Sequence, residues 1–271
     1  MKVTALLENT TINKAMTAKH GLCIHIETPK HKILFDLGPD DTYLYNAQKM
    51  GIDIAEVDTL VLSHGHFDHG GGLASFMKQN SKAKLFLHRH AFAPHYFRVL
   101  FAKKYIGLDA SLSGSDRIIF TDDAMCIDDE LFLFSNVEGQ LGTKSSRALL
   151  LKTKGGYIRD DFAHEQSLIV TAESKAALFS GCSHRGINNI LRSAERHQPA
   201  IHAVFGGFHL FNPATKVTEP AKVIEQLTTE LSVRETVFYT CHCTGNKAFE
   251  SMRENMGNKV QYLSTGSVVE L

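Results

Sequence analysis

The chain has 271 residues, 43% of them apolar, and its 29 lysines and arginines are balanced by 29 aspartates and glutamates. That balance leaves no global field to draw nucleic acid or an anionic membrane, so an anionic substrate has to be recognised by local groups. Glu8 interrupts the N-terminal segment too early for a secretory apolar region, and no apolar run approaches the roughly 20 residues that cross a bilayer, so the sequence predicts a cytoplasmic protein with neither a membrane nor a nucleic-acid partner.

In chain order, strands are predicted at Val3–Leu7, Leu22–Glu27 and Lys32–Asp36, where apolar and β-branched residues run between turn formers. Asp41 or Thr42 then caps a helix carrying Leu44, Ala47 and Met50. Thr59–Ser63 reads as a buried strand that runs into His64-Gly65-His66-Phe67-Asp68-His69 and a triple glycine, Gly70 to Gly72, before a helix through Leu73 and Met77. Lys84–Leu87 follows. From about residue 89 to 116 the pattern breaks into an aromatic and basic stretch, His90 to Arg98 and Phe101 to Tyr105, with a Gly/Ser-rich exit, and a helical insertion is expected here. A connection that long in a compact domain is more often a lid or binding insertion than a linker, and its Phe92, His95, Tyr96, Phe97 and Arg98 can either cover a flat substrate or form the contact of a homodimer.

Further strands are predicted at Ile118–Phe120, Leu131–Phe134, Leu149–Thr153, Leu168–Thr171 and Ala176–Ser180. Strands and helices then alternate: the Ile187, Ile190, Leu191, Ala194 stripe, His202–Phe205, the Ile224, Leu227, Leu231 stripe, Val237–Thr240, the Ala248, Phe249, Met252, Met256 stripe, and Val260–Tyr262. A strand-rich first half and an alternating second half fit an α/β (α+β) chain with two sheets and helices outside. No shift in composition marks a boundary, so residues 1–271 are expected to form one domain.

Five cysteines, an odd and scattered number, argue against a disulfide framework. Among 15 histidines, His20, His25, His31, His88, His90, His197 and His202 read as surface or satisfied core residues. The segment from His64 to His69 does not. Three imidazoles and a carboxylate within six residues on a loop leaving a strand are hard to explain as packing; His64 and His66 point the same way and can share one ion, while Asp68 and His69 serve a second. Nitrogen donors with one oxygen suit zinc, and also manganese or iron. The glycines let the backbone fold tightly behind these donors.

This segment resembles the HxHxDH signature of the metallo-β-lactamase superfamily, and the similarity extends over nearly the whole chain. The resemblance implies a four-layer αββα sandwich with one or two divalent metal ions at the sheet edges. It places Asp36, in Phe35-Asp36-Leu37-Gly38, behind the metal loop as an orienting acceptor. It also places later ligands at His184, in Gly181-Cys182-Ser183-His184-Arg185-Gly186, and at His242, in Cys241-His242-Cys243-Thr244-Gly245. His164 competes with His184, which is preferred because it ends a buried strand. Where many relatives carry a bridging aspartate this chain has Cys182, which either ligates or lines the site.

A narrower likeness, carried by Glu165-Gln166, the Gly-Cys-Ser-His-Arg-Gly run, Phe205-Gly206-Gly207-Phe208-His209-Leu210 and His242-Cys243-Thr244-Gly245, is to the branch related to 7,8-dihydropterin-6-yl-methyl-4-(β-D-ribofuranosyl)aminobenzene 5'-phosphate synthase. The resemblance implies a metal-dependent hydrolase that uses a metal-activated water on a phosphoester or similar small substrate. The alternative is a synthase-type reaction on a pterin or aromatic phosphate. Asp68 can orient the nucleophile. His209 is a general acid, a substrate ligand or a core histidine at a turn. Thr244, before the last helix, and Arg185, beside His184, are candidate substrate contacts, against plain capping and an idle surface charge.

Overall fold

Two seven-stranded sheets carry the fold among the described residues, 1–139 and 143–271 of a computed structural model. The first runs in the order Val268–Glu270, Lys2–Leu7, Cys23–Glu27, Lys32–Phe35, Thr59–Val61, Lys84–His88, Ile118–Thr121. The second runs Val260–Tyr262, Val237–Thr240, Ala203–Gly206, Lys175–Ser180, Ser167–Ala172, Leu131–Phe134, Ala124–Cys126.

Three apolar clusters define four layers. Val3, Ile24, Phe35 and Val61 of the first sheet meet Leu133, Val170, Phe179 and Phe205 of the second in a shared core. On the outer face of the first sheet, Leu34, Leu60 and Leu85 pack against Tyr43, Ala47, Leu73 and Phe76 of the helices Thr42–Lys49 and Leu73–Gln79. On the outer face of the second, Leu178, Val204 and Phe238 pack against the helices Ile187–His197, Ala221–Ser232 and Asn246–Met256 through Ile190, Leu191, Ile224, Leu231 and Met252. These side chains recur at helical spacing, which is why one stripe of each helix is buried. This is the expected αββα sandwich. Among the described residues no helix is long and apolar enough to cross a membrane.

The helical insertion is not what forms. Residues His95–Val99 and Ala102–Tyr105 make a β-hairpin that pairs through Phe97↔Leu149 and His95↔Leu151 with a second hairpin, Leu149–Thr153 and Gly156–Arg159. Within the stretch only Ala110–Gly114 is helical, as a short 3-10 turn. The reason is cross-strand pairing of aromatics: the Tyr96 ring packs edge-on against Tyr105 at 5.4 Å and Tyr157 at 5.1 Å. Tyr157 lies on a strand 61 residues downstream of Tyr96, a partner that no local pattern reveals.

Parallel pairing sets up the functional edge. Phe35 is level with Val61 in the first sheet, and Ser180, Gly206 and Thr240 are level in the second, so the loops after all five strands emerge side by side. The carboxyl ends of parallel strands are where open sheets place ligands.

The first sheet carries a pH-sensitive group at His25, level with Thr4 and Leu34. His25 is 2% exposed and neither ring nitrogen has a hydrogen-bond partner; burial pulls its pKa down to about 4, against the opposing charge of Glu27. Its folded value lies below its unfolded one, so its contribution is present above about pH 6.5 and is lost as pH falls towards 4. Between about pH 7 and 4.5, denaturant titrations should show the wild type losing about 2 kcal/mol more stability than His25→Gln. Equal losses in the two proteins would contradict this.

Candidate metal centre

The metal loop is held from behind by one carboxylate. Asp36 lies just past its strand with φ at 62° and accepts from the Ser63 backbone N–H, the Ser63 hydroxyl and His69 Nδ1–H, each at 2.7 Å. These bonds fix the tautomers. The Ser63 proton is given to Asp36, so its oxygen accepts from His64 Nδ1–H at 2.8 Å, and His64 Nε2 is left with a free lone pair. His69 Nδ1–H is likewise spent on Asp36, which turns the Nε2 lone pair to Cys182 Sγ, 3.1 Å away. At the third strand end, His242 Nδ1–H donates to Asn9 Oδ1 at 2.9 Å and leaves Nε2 3.4 Å from Asp68 Oδ2. Three histidines from two loops thus aim their Nε2 atoms at one space, that of His242 beside the Asp68 carboxylate.

His66 and His184 complete the cluster. The Nε2 atoms of His64 and His66 and both nitrogens of His184 are buried without a hydrogen-bond partner, and donor atoms of the three residues lie within 4.8 Å of one another. Phe162 stacks on His184 with ring centroids 4.4 Å apart, and Glu165 accepts from the backbone N–H groups of His184 and Arg185 at 2.7 and 2.8 Å. Burial pushes the Glu165 carboxyl up to about 7. Its neighbour Gln166 donates to the carbonyls of Leu62 and Phe86, so this dipeptide ties the second sheet to the base of the metal loop. Cys182 Sγ is shared by three further donor sets, with His64 and His69, with His184 and His209, and with His242 and Cys243.

Buried polar atoms without partners are costly, and three imidazoles of this kind, one ring nitrogen from each within 4.8 Å of the others, form a set that could hold a cation. The electrostatics agree. Burial, followed by crowding among the imidazoles, holds His64 and His184 well below the usual histidine range, so both are neutral donors. For Asp68, burial pulls the carboxyl upward, but His69, His20 and His242 outweigh it and keep the group ionised. Four non-glycine residues at this edge, Asp36, Ser183, His209 and His242, sit in the left-handed region with φ between 50° and 62°. Such strain persists only where surrounding structure enforces it.

His164 belongs to a further possible donor set, with His66, His95 and Asp160. Its Nδ1 accepts from the Gly65 N–H at 2.9 Å, so Nε2 carries the ring proton and faces Asp160 Oδ2 at 3.4 Å, with no free lone pair. His95 also donates to Asp160, at 2.8 Å. This buried trio buttresses the backbone between His64 and His66. Gly65 is required there, because a Cβ would lie 2.1 Å from the Ala91 carbonyl oxygen. Gly65→Ala should therefore cost about 2 kcal/mol or more and weaken zinc binding, read by thermal melts with and without zinc; unchanged melts would count against the packing described. Gly71 is equally constrained, with its Cβ position 2.1 Å from the Pro39 carbonyl oxygen.

Above the donors lies a pocket of about 420 Å³. His209 lines it, 8% exposed, with Nδ1 unpartnered and its ring 4.3 Å from that of His184. Phe67, Phe97, Ile106 and Leu149 form apolar walls, and Lys104 reaches over the Phe67 ring at 5.9 Å.

Two expected substrate contacts do not reach this pocket. Thr244 is fully buried, with its hydroxyl accepting from the Phe208 N–H at 2.8 Å and bonded to Thr240, so it braces the turn. Arg185 donates to the carbonyls of Asp161 and Val137. Of the insertion residues singled out, Phe97 lines the pocket; His95 is buried on Asp160, Tyr96 packs on tyrosines and Phe92 lies against the first sheet. His20, read as ordinary, is a site residue: its Nε2 is 3.3 Å from Asp68 Oδ2 and its ring 4.7 Å from that of His242. No spacing signal marks it. The bland reading fits His31, paired with Asp58 and Asp128, His197, packed on Phe132, and His202, which accepts from the Ala176 N–H.

Residues 16–146 match the profile of the metallo-beta-lactamase superfamily. The sequence is 27% identical to the 7,8-dihydropterin-6-methyl-4-(beta-D-ribofuranosyl)-aminobenzene-5'-phosphate synthase of Methanocaldococcus jannaschii, over 95% of this chain and 92% of that one. The crystal structure of a metal-dependent hydrolase of the beta-lactamase superfamily is similar with a TM-score of 0.84 at 27% identity, covering 100% of this chain and 99% of the other. Zn(2+)-bound PqqB from Methylobacterium extorquens shares the fold, with a TM-score of 0.59, 11% identity and 100% of both chains covered.

Proposed function

We propose that this chain, whose residues 16–146 match the metallo-β-lactamase superfamily profile and whose fold is that of a superfamily hydrolase, is a metal-dependent hydrolase of a small anionic substrate such as a phosphoester. The observation that carries the proposal is the convergence of unpartnered imidazole nitrogens around Cys182 and Asp68. His64, His66 and His184 would hold one ion and Asp68, His69 and His242 a second, with Cys182 between them. Nitrogen and sulfur donors favour zinc, while manganese and iron fit the nitrogen and oxygen donors. A divalent ion bound there supplies Lewis-acid activation of water near neutral pH and stabilises developing negative charge.

The chain's own residues do the rest. Asp68, kept ionised by its imidazole neighbours, accepts a hydrogen bond from the attacking water and orients it. His209 faces the pocket beside His184 and delivers a proton to the leaving group. Phe67, Phe97, Ile106 and Leu149 exclude bulk water, and Lys104, in place of Arg185 or Thr244, meets the anionic part of the substrate. A synthase-type reaction on a pterin or aromatic phosphate is the second reading, favoured by the likeness to the archaeal synthase and by the aromatic wall of Phe67 and Phe97.

The test is turnover of phosphomonoester, phosphodiester and lactone panels by zinc- or manganese-loaded protein. Activity should disappear with a chelator and return with metal. No turnover with either ion, together with fluorescence quenching on titration of a dihydropterin phosphate, would replace the first reading by the second.

A further inference from the structure

We propose that the centre has a second sulfur ligand, Cys243, and that with Cys182 and His242 it makes the half of the site beside Asp68 a sulfur-rich position for a soft divalent cation. This rests on the cation-binding reading above and adds to it a ligand and a metal class.

The sulfurs of Cys182 and Cys243 and a ring nitrogen of His242 lie within 4.8 Å of one another, and all three residues are buried and line the same pocket. Cys243 Sγ donates weakly to the Cys182 carbonyl at 3.5 Å, and its side chain also bonds with those of Cys182 and His209. A thiol kept for packing belongs among apolar side chains, as Cys241 does in the core between the sheets. Cys243 instead faces Cys182 and His242.

The backbone is arranged to bring it there. Successive side chains on an extended strand point to opposite sides. His242 breaks that alternation with φ at 51° and opens the 3-10 turn His242–Thr244, so two consecutive side chains reach one space. On the opposite wall, a Cβ on Gly207 would lie 2.4 Å from Cys243 Sγ, and the Gly207 N–H is tied to the Gly181 carbonyl at 2.8 Å. Glycine there keeps a slot open for the sulfur.

Two thiolates with imidazole select zinc, or iron(II), over magnesium and calcium, which prefer oxygen. On binding, each thiol releases its proton to solvent. Cobalt(II) reads the ligand set directly, since thiolate coordination adds a near-ultraviolet charge-transfer band to the visible d–d bands.

At saturating cobalt, Cys243→Ser and Cys243→Ala should keep the visible bands but lose about a third to a half of the charge-transfer intensity, as one of the two sulfurs is removed. The Cys182→Ser/Cys243→Ser double variant should lose all of it. Circular dichroism confirms that each variant is folded. Full charge-transfer intensity in both folded Cys243 variants would overturn the proposal while leaving the metal centre intact. Absence of visible bands in the wild type would instead remove the cation-binding reading itself.

Discussion

Alanine at His66 or at His242 is expected to lower kcat/KM by about three orders of magnitude, or about 4 kcal/mol of transition-state stabilisation. Each residue is assigned to a different half of the centre, so either loss should disable a shared mechanism and the two effects should not add. What separates this from a folding defect is the metal-free protein. His66 Nε2 is buried with no hydrogen-bond partner, so without a cation the imidazole contributes no polar bond through that atom. Metal-free His66→Ala should therefore melt within a few degrees of wild type, by about 1 kcal/mol either way, while the upward shift that zinc gives the wild type shrinks or disappears. Elemental analysis should show less than the wild-type metal content. Full metal content and full turnover in both variants would remove the hydrolase reading.

The second large effect is at Asp36. Asparagine accepts the left-handed backbone at φ 62°, so Asp36→Asn tests the carboxylate and not the turn. The wild-type oxygens accept three hydrogen bonds, from Ser63 N–H, Ser63 Oγ–H and His69 Nδ1–H. An amide nitrogen would set donors against donors. The relief available to His69 is to move its proton to Nε2, which removes the lone pair now facing Cys182. Stability should fall by about 3 kcal/mol or more, as when one partner of a buried pair is lost, and zinc affinity by about 10- to 100-fold. Denaturant titration of metal-free protein measures the first and competition with a chromophoric chelator the second. Wild-type affinity in Asp36→Asn would mean that the carboxylate does not control the ligand tautomers.

What was legible in the sequence follows from how local each signal is. The donors from His64 to His69 announce themselves because strand, loop and helix start are contiguous, and glycine runs such as Gly70 to Gly72 mark close backbone approach. His184 and His242 were readable as ends of apolar strands in a regular alternation. The hairpin His95–Val99 and Ala102–Tyr105 was not, because its pairing partner is Leu149–Thr153 and its aromatics fit an amphipathic helix as well as a strand. His20 lies outside any strand or helix and meets Asp68 only after the first sheet is assembled. Arg185 and Thr244 sat beside the right residues in sequence, yet their polar atoms are used by backbone carbonyls and by a turn. Adjacency along the chain says where a residue is, while the direction of its side chain depends on long-range bonds.

The most direct measurement of the central claim is anomalous diffraction at the zinc edge from crystals of zinc-loaded protein. The account predicts a peak bounded by the ring nitrogens of His64, His66 and His184 with Cys182 Sγ on its inner side. Any second ion should lie towards Asp68, His69 and His242. Zinc found only against His95, Asp160 and His164, or no bound zinc at all among these histidines, would contradict it.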